Sequence, residues 1–394
     1  MKSNLSLDIS RPLRIAYFTG SMKPGQDGVT RVLYRLIDAL KYRGIENVFY
    51  STILPPLAER STQMVLVPSI SVPIYKEYRF AYPGREYFAA HLSAFRPDLI
   101  HINSPCTLGY AAVQFGQDYD IPVVATYHTH FPSYAEYYKI HILENLSWSY
   151  LRKLYNDCQR VYVPTRPIMD ELKNHGINNL KYLPHGVDTN LFHPRFRSDN
   201  WKDQIGISRK FALLYVGRLV WEKNLRMLAD AYQRLQARRS DLAFILIGEG
   251  PIRNQLQQLM PQAIFVGYQS GLDLSTAYAS SDLFVFPSVT ETFGNVILEA
   301  MASGLVPVCT NQGGARGIVR SGVTGLFTRP QDPQDLADTI DYLLNHPELR
   351  ARLAQQSIHY AREQTWEQIF TDMFADYTSI IQNFKTMKNT RKVA

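Results

Sequence analysis

Two glutamates eight positions apart, Glu291 and Glu299, lie in the stretch PSVTETFGNVILEAMASG at residues 287–304 and bracket a loop and the start of a helix. Residues 282–287 (DLFVFP) form a short apolar run of strand type, residues 292–295 supply a turn with Gly294, and residues 295–303 carry a helical pattern stopped by Gly304. The N–H groups at such a helix start, with the positive end of its dipole, suit a phosphate or a sugar hydroxyl. Glu299 lies one turn inside, where a carboxylate can accept both hydroxyls of a ribose. Glu291 precedes it in the loop, within reach of a hexose. An isolated pair of this kind is more often a solvated loop residue and an ordinary early-helix acid favoured by the dipole, so it gains meaning only from its surroundings.

Those surroundings begin with a strand at residues 14–18 (RIAYF), followed by the turn-rich loop TGSMKPGQDG with Gly20, Pro24, Gly25 and Gly28. Val29, Val32, Leu33, Leu36, Ile37 and Leu40 then recur at helical spacing until Gly44. Strand, glycine-rich loop and helix open a doubly wound α/β domain, in which ligands bind at the carboxyl ends of the strands. Gly25 and Gly28 are candidates to line that crevice, although plain turn chemistry accounts for them equally well. The loop carries neither GxGxxG nor GxxxxGK[ST].

Further strands are expected at residues 99–102 (LIHI) and 123–126 (VVAT), the latter running into TYHTHF. His128 and His130 then stand at a strand's carboxyl end, where side chains project into the crevice. Two histidines with one residue between them could bind metal, but no third ligand accompanies them, and polar contact to substrate is the better expectation. A satisfied, half-buried structural histidine is the alternative for either. Residues 131–160 interleave Tyr134, Tyr137, Tyr138, Trp148, Tyr150 and Tyr155 with Lys139, Arg152 and Lys153. Such a mixture serves an interfacial surface or a packed helix pair, and packing is the commoner use. A strand at 160–163, a helix and the segment LPHGVDTNLFHP follow, and residues 193–201 read as a linker.

The second half repeats the alternation, with strands at 211–216, 243–247, 264–266 and 283–286 and helices at 225–237, from 252, and at 273–279. A second parallel-sheet domain is expected. GRLVWEKN puts Gly217, Arg218 and Lys223 just past its first strand, in the place of the first domain's glycine loop. The duplication brings two carboxyl-end crevices within reach of each other, suited to a substrate held between them. Taken alone, a loop Arg and Lys are usually solvated. An amphipathic helix from Trp366 to about residue 384 ends in a basic tail.

With 394 residues, 45% hydrophobic and 20% charged, the chain can bury two large cores. No run of eighteen apolar residues occurs, and the first eight residues lack the order of a signal peptide, which leads to the expectation of a cytoplasmic protein without a membrane span. Cys106, Cys158 and Cys309 are far apart and suggest neither a disulfide framework nor a zinc site. The net charge of +7 gathers at the two ends: residues 1–195 hold 21 Lys+Arg against 16 Asp+Glu, and the last ten add four cations and no acid. No nucleic-acid module is present in the sequence, and an anionic membrane surface is the expected partner of the excess.

Taken together, these segments resemble a retaining glycosyltransferase of the GT-B fold, family 4, over nearly the whole chain. GRLVWEKN resembles the family's G-R-x-x-x-x-K loop, which implies that Arg218 and Lys223 grip the donor diphosphate. ETFGNVILE resembles its E-x7-E motif, implying Glu291 on the donor sugar, Glu299 on the ribose, and backbone N–H groups of Phe293, Gly294, Asn295 and Val296 near sugar and phosphate. TYHTHF resembles its catalytic-histidine segment, which carries His128 over as the residue beside the transferred sugar; with Glu291 it forms the implied catalytic pair, and Gly28 joins the donor-binding set. DGVTRV, HINSPCTLGY, YHTHFPSYAEYY and HGVDTNLFHP further resemble the branch of sulfoquinovosyl-diacylglycerol synthases and GDP-mannose-dependent α-mannosyltransferases acting on glycolipids.

The resemblance implies two Rossmann-like doubly wound domains facing across a cleft: residues 1–195 on the acceptor side, 196–365 for the nucleotide-sugar, and 366–394 as a helix crossing back to the first domain with the basic tail. It implies transfer of a hexosyl group from a UDP- or GDP-linked sugar to a lipid or glycolipid, peripheral to the inner face of a membrane. The departing diphosphate, held by Arg218, Lys223 and helix amides, accepts the acceptor's proton on the same face. No acidic pair stands beside the proposed phosphate site, so no metal or other cofactor is expected. A nucleotide-sugar-binding regulatory protein without turnover, and a nucleotide-sugar epimerase of the same fold, remain as alternatives.

Overall fold

The computed structural model describes residues 11–25, 28–71, 79–81, 85–129, 141–208 and 210–393. Asp27, His130 and the cluster Tyr134, Tyr137, Tyr138 and Lys139 lie outside them. Two compact units divide the chain, Met1–Leu183 with Glu367–Ala394, and Pro184–Trp366.

In the first unit, β1 (Arg14–Thr19), β2 (Glu46–Ser51), β3 (Gln63–Leu66), β6 (Leu99–Ile102), β7 (Val123–Thr126), β8 (Arg160–Val163) and β9 (Leu180–Tyr182) form a parallel sheet in the order β3-β2-β1-β6-β7-β8-β9. A separate antiparallel ribbon pairs β4 (Ser69–Ser71) with β5 (Arg79–Ala81). Consecutive residues of β1, β6 and β7 are buried, since a parallel sheet is covered on both faces, and these strands are apolar apart from Arg14, Thr19, His101 and Thr126. The helix Gly28–Tyr42 buries Val32, Leu33, Leu36, Ile37 and Leu40, as the spacing required. In the aromatic stretch, Tyr155 is buried and Trp148 stacks on His175 with ring centroids 3.6 Å apart, whereas Tyr150 is exposed.

In the second unit, β10 (Phe211–Val216), β11 (Leu242–Ile247), β12 (Ile264–Gly267), β13 (Leu283–Phe286), β14 (Val306–Thr310) and β15 (Leu326–Thr328) form the parallel sheet β12-β11-β10-β13-β14-β15. Counted within the unit, this is the order 3-2-1-4-5-6 of a doubly wound nucleotide-binding fold.

Two expectations from the sequence are corrected. Residues 193–201, expected as a linker, are instead a strap on the second unit. Phe192 is buried edge-on against Tyr278, and the Ser198 N–H donates to the Ser280 hydroxyl at 3.0 Å. Arg195, Arg197, Asp199 and Asn200 are exposed, whereas Pro194, Phe196 and Trp201 are half-buried, with the Pro194 ring 3.2 Å from where a Cβ of Gly304 would stand. The terminal helix does not end near residue 384 but runs Trp366–Val393 through the basic tail. Within the first unit it is fastened by Asp376, which accepts from the Tyr162 hydroxyl at 2.9 Å and lies 2.8 Å from Lys181 Nζ and 3.3 Å from Arg160 Nε. No described helix is long and apolar enough to cross a membrane.

Candidate active site

In the second unit the strand order reverses between the adjacent parallel strands β10 and β13, and a loop leaves the carboxyl end of each, where sheets of this kind bind their ligands. Each loop brings one of the expected residues. Lys223 ends the short turn Trp221–Lys223 after β10, Glu291 lies in the loop after β13, and Lys223 Nζ donates to Glu291 Oε1 at 2.6 Å. Both side chains are half-buried, 16% and 22% exposed, so the pair is shielded without being sealed from solvent. Other bonds fix the two loops. Asn224, in the left-handed region at φ +57°, starts the helix Leu225–Gln236, and its Nδ2 donates to the Pro287 carbonyl at 3.3 Å. The Thr310 hydroxyl at the end of β14 donates to the same carbonyl at 3.0 Å, and the Thr290 hydroxyl donates to the Glu222 carbonyl at 3.3 Å.

Beyond Glu291 the chain turns through Gly294 into the helix Asn295–Ala302. Gly294 sits at φ +97°, a conformation that favours glycine, and a Cβ there would come within 3.0 Å of the Ile297 side chain. The N-cap of this helix, Gly294, has no side chain to bond the first N–H groups and no acid lies in its first turn, a helix start suited to an anion. The Phe293 side chain is buried in the core, Asn295 and Val296 are half-buried, and Arg218 is exposed, with its carbonyl accepting from the Tyr215 hydroxyl at 3.0 Å. Glu299, one turn in, is buried, and the hydroxyl of fully buried Tyr278 donates to its Oε2 at 3.1 Å.

Sequence reasoning missed three supports of this arrangement. The turn Gly313–Gly317 lies under the Glu291 loop: the Gly314 N–H donates to the Glu291 carbonyl at 2.7 Å, and a Cβ at Gly314 would stand 2.5 Å from the Thr292 carbonyl carbon. The paired glycines in QGGARG were its signal. Tyr278 carried no local signal, and His185, although it opens HGVDTNLFHP, carried none for its bond to Asn295, because these contacts join residues 21 and 110 positions apart along the chain.

The first unit holds the remaining expected residues. Gly28 opens the helix Gly28–Tyr42 and is exposed, after a turn in which Gly25 takes φ +70°. His128, two residues beyond β7, is buried, and its Nε2–H donates to Asn103 Oδ1 at 3.2 Å. Asn103 directly follows the neighbouring strand β6, and its backbone N–H donates to the Phe18 carbonyl of β1 at 2.7 Å. Asn103 was also missed, though HINSP carried it at a strand end. Among the described residues no group of three or more His, Cys, Asp or Glu could hold a metal ion.

Two parallel-sheet, doubly wound units are the architecture of the GT-B fold. Sucrose-phosphate synthase from Thermosynechococcus elongatus has the same fold, with a TM-score of 0.79 at 21% identity over 94% of this chain and 100% of that one. Residues 26–191 match the family described as Glycosyltransferase Family 4, and residues 197–360 the family described as Glycosyl transferases group 1. A GDP-mannose-dependent alpha-mannosyltransferase of Corynebacterium glutamicum is 32% identical over 95% of this chain and 91% of its own. A sulfoquinovosyl transferase of Arabidopsis thaliana is 33% identical over 91% of this chain and 71% of its own. The chain belongs to glycosyltransferase family 4.

Proposed function

We propose that this glycosyltransferase moves a hexosyl group, with retention of configuration, from a UDP- or GDP-linked sugar to a lipid or glycolipid at the inner face of a membrane, without a divalent metal. The observation that carries the reading is the meeting of Lys223 and Glu291 at the switch point, beside an uncapped helix start and one turn from the buried carboxylate of Glu299. Arg218, Lys223 and the N–H groups of Phe293, Gly294, Asn295 and Val296 take the diphosphate, Glu299 takes the ribose, and Glu291 takes the sugar. Fixed cations and N–H groups meet the charge that develops on the leaving group, which is the part a metal would otherwise play. To His128, oriented by Asn103, we assign the part beside the transferred sugar, and to Gly28 a part in donor binding. The relatives named for transfer of mannose from GDP-mannose and of sulfoquinovose support a hexosyl donor. The likeness of several segments to glycolipid-forming enzymes supports the lipid acceptor.

The test is turnover of UDP- and GDP-sugars by purified protein, with and without lipid acceptor and with and without EDTA. Slow hydrolysis without acceptor, faster transfer with it, and persistence in EDTA are expected. His128→Ala should lower kcat with little effect on donor affinity. Binding without any turnover would favour a regulatory protein. A changed sugar released without acceptor would favour an epimerase, and loss in EDTA with recovery on Mg²⁺ or Mn²⁺ would overturn metal independence.

A further inference from the structure

His185 lies 110 residues before Asn295 in the chain, yet its Nδ1 stands 2.7 Å from Asn295 Oδ1. The imidazole is 8% exposed, set between the rings of Phe293 and Trp366 with centroids 4.6 and 5.8 Å away. Its backbone is equally fixed. The Val187 N–H donates to the Gln364 carbonyl at 2.9 Å, Val187 pairs with Thr365 in a parallel bridge, and a Cβ at Gly186 would stand 2.5 Å from the Trp366 nitrogen. A ring this constrained can dictate the orientation of the group it bonds.

That group is a carboxamide at the first position of the helix Asn295–Ala302. An asparagine presents an accepting oxygen on one side and two N–H donors on the other, so one orientation extends a row of helix-start N–H groups and the other opposes an anion there. A carbonyl oxygen only accepts, so the bond from His185 requires hydrogen on Nδ1 and turns the oxygen of Asn295 toward the ring.

We propose that His185 is a positioning residue for the donor diphosphate: its Nδ1–H holds the Asn295 oxygen, and the Asn295 Nδ2 hydrogens then face the leaving group beside the N–H groups of the helix start. The inference rests on the reading of the site given under Proposed function and assigns a part to two residues within it. Burial pushes the imidazole pKa down to about 4, so at neutral pH the ring is uncharged and acts through the carboxamide rather than as a further cation.

The experiment measures binding of UDP and GDP by calorimetry, and nucleotide-sugar hydrolysis, in the parent and in His185→Phe, His185→Asn, Asn295→Ala and the double variant His185→Phe/Asn295→Ala. Phenylalanine fills the ring site without a donor, whereas asparagine returns an N–H near the position of Nδ1. His185→Phe and Asn295→Ala should each weaken binding of the better nucleotide about tenfold, the size of one hydrogen bond to a charged group. His185→Asn should recover most of the loss, and His185→Phe should add little to Asn295→Ala, because each abolishes the same oriented contact from Asn295 Nδ2. A His185→Phe protein that binds like the parent, an equal loss in the Asn295→Ala background, or no rescue by asparagine would overturn the proposal. If the His185 variants do not fold, Asn295→Asp decides: a carboxylate oxygen facing the diphosphate should weaken binding more than alanine does, and parent-like binding would overturn it. A parent that binds neither nucleotide and hydrolyses no nucleotide-sugar would instead show that the reading of the site itself is wrong.

Discussion

The ammonium of Lys223 lies 2.6 Å from the carboxylate of Glu291, although one follows β10 and the other follows β13. The contact joins the two loops across the point where the strand order reverses. The carboxylate holds the ammonium in place at that point, and under the proposed function a bound diphosphate would offer it a more highly charged partner.

Replacing Lys223 by Ala should therefore lower kcat by roughly 10²–10³, by analogy with removal of one charge-stabilising donor at a leaving group. Steady-state turnover of the identified donor checks this, with a urea midpoint on the same protein to separate chemistry from folding. Undiminished turnover would show that another group carries the leaving-group charge.

Tyr278 and Glu299 give a second, separable test, because the tyrosine is buried behind the carboxylate and bonds one of its oxygens. Glu299→Ala should weaken nucleotide binding by about 1.5–3 kcal/mol for each hydrogen bond lost to the charged group. Tyr278→Phe should weaken it less, since the carboxylate stays and loses only an orienting bond. Calorimetry with UDP and GDP measures both, and a Tyr278→Phe loss equal to that of Glu299→Ala would mean that the tyrosine holds more than the carboxylate's direction.

The parts legible in the sequence were those whose signal is local. The strands at 99–102, 123–126, 160–163, 211–216 and 283–286 form where apolar runs meet turn residues, and Lys223, Glu291 and Glu299 come from contiguous motifs. What stayed illegible depends on register between distant segments. Asn103 supports His128 only because β6 and β7 are neighbours, and Gly314 supports Glu291 only because β14 lies beside β13. The strap at 193–201 misled for a related reason: proline and charge mark irregular backbone, and whether that backbone packs is decided by partners such as Ser280 that lie far along the chain.

The basic tail yields a prediction about membranes. The terminal helix runs through it, and Lys388 Nζ lies 2.7 Å from Asp120 Oδ2, so one of its four cations already has a partner in the same unit. Removing residues 385–394 should reduce sedimentation with anionic vesicles at low salt and leave nucleotide binding unchanged, each basic residue contributing about 1 kcal/mol near such a surface. Asp120→Asn should act oppositely, releasing Lys388 at little cost, because the pair is exposed and asparagine tolerates Asp120's φ of +55°. Equal sedimentation of all three proteins would remove the tail from any membrane contact.

The last prediction concerns His101, which β6 buries at the centre of the first unit. Its Nε2 lies 2.7 Å from the Thr126 hydroxyl, and its Nδ1 is hydrogen-bonded to the hydroxyl of Tyr377 on the terminal helix. Tyr17 and Tyr162 flank the ring, and the nearest carboxylate on that helix, Asp376, is already engaged by Tyr162, Lys181 and Arg160. Burial therefore pushes the imidazole pKa down to about 3, against about 6.5 in the unfolded chain. Between these values the unfolded state binds a proton that the folded state refuses. Stability from this group is thus full above about pH 6.5 and falls as the pH drops toward 3, by at most about 1.4 kcal/mol per pH unit. Glutamine at position 101 should cost stability at pH 7.5, where it replaces a well-bonded ring, but it does not titrate. The gap in urea midpoint between parent and His101→Gln should therefore stay level from pH 7.5 to about 6.5 and narrow from there to 4.5, other carboxylates affecting both proteins alike. A gap that stays constant over that range would show that His101 titrates in the folded protein as it does in the unfolded chain, contrary to its packing beneath the terminal helix.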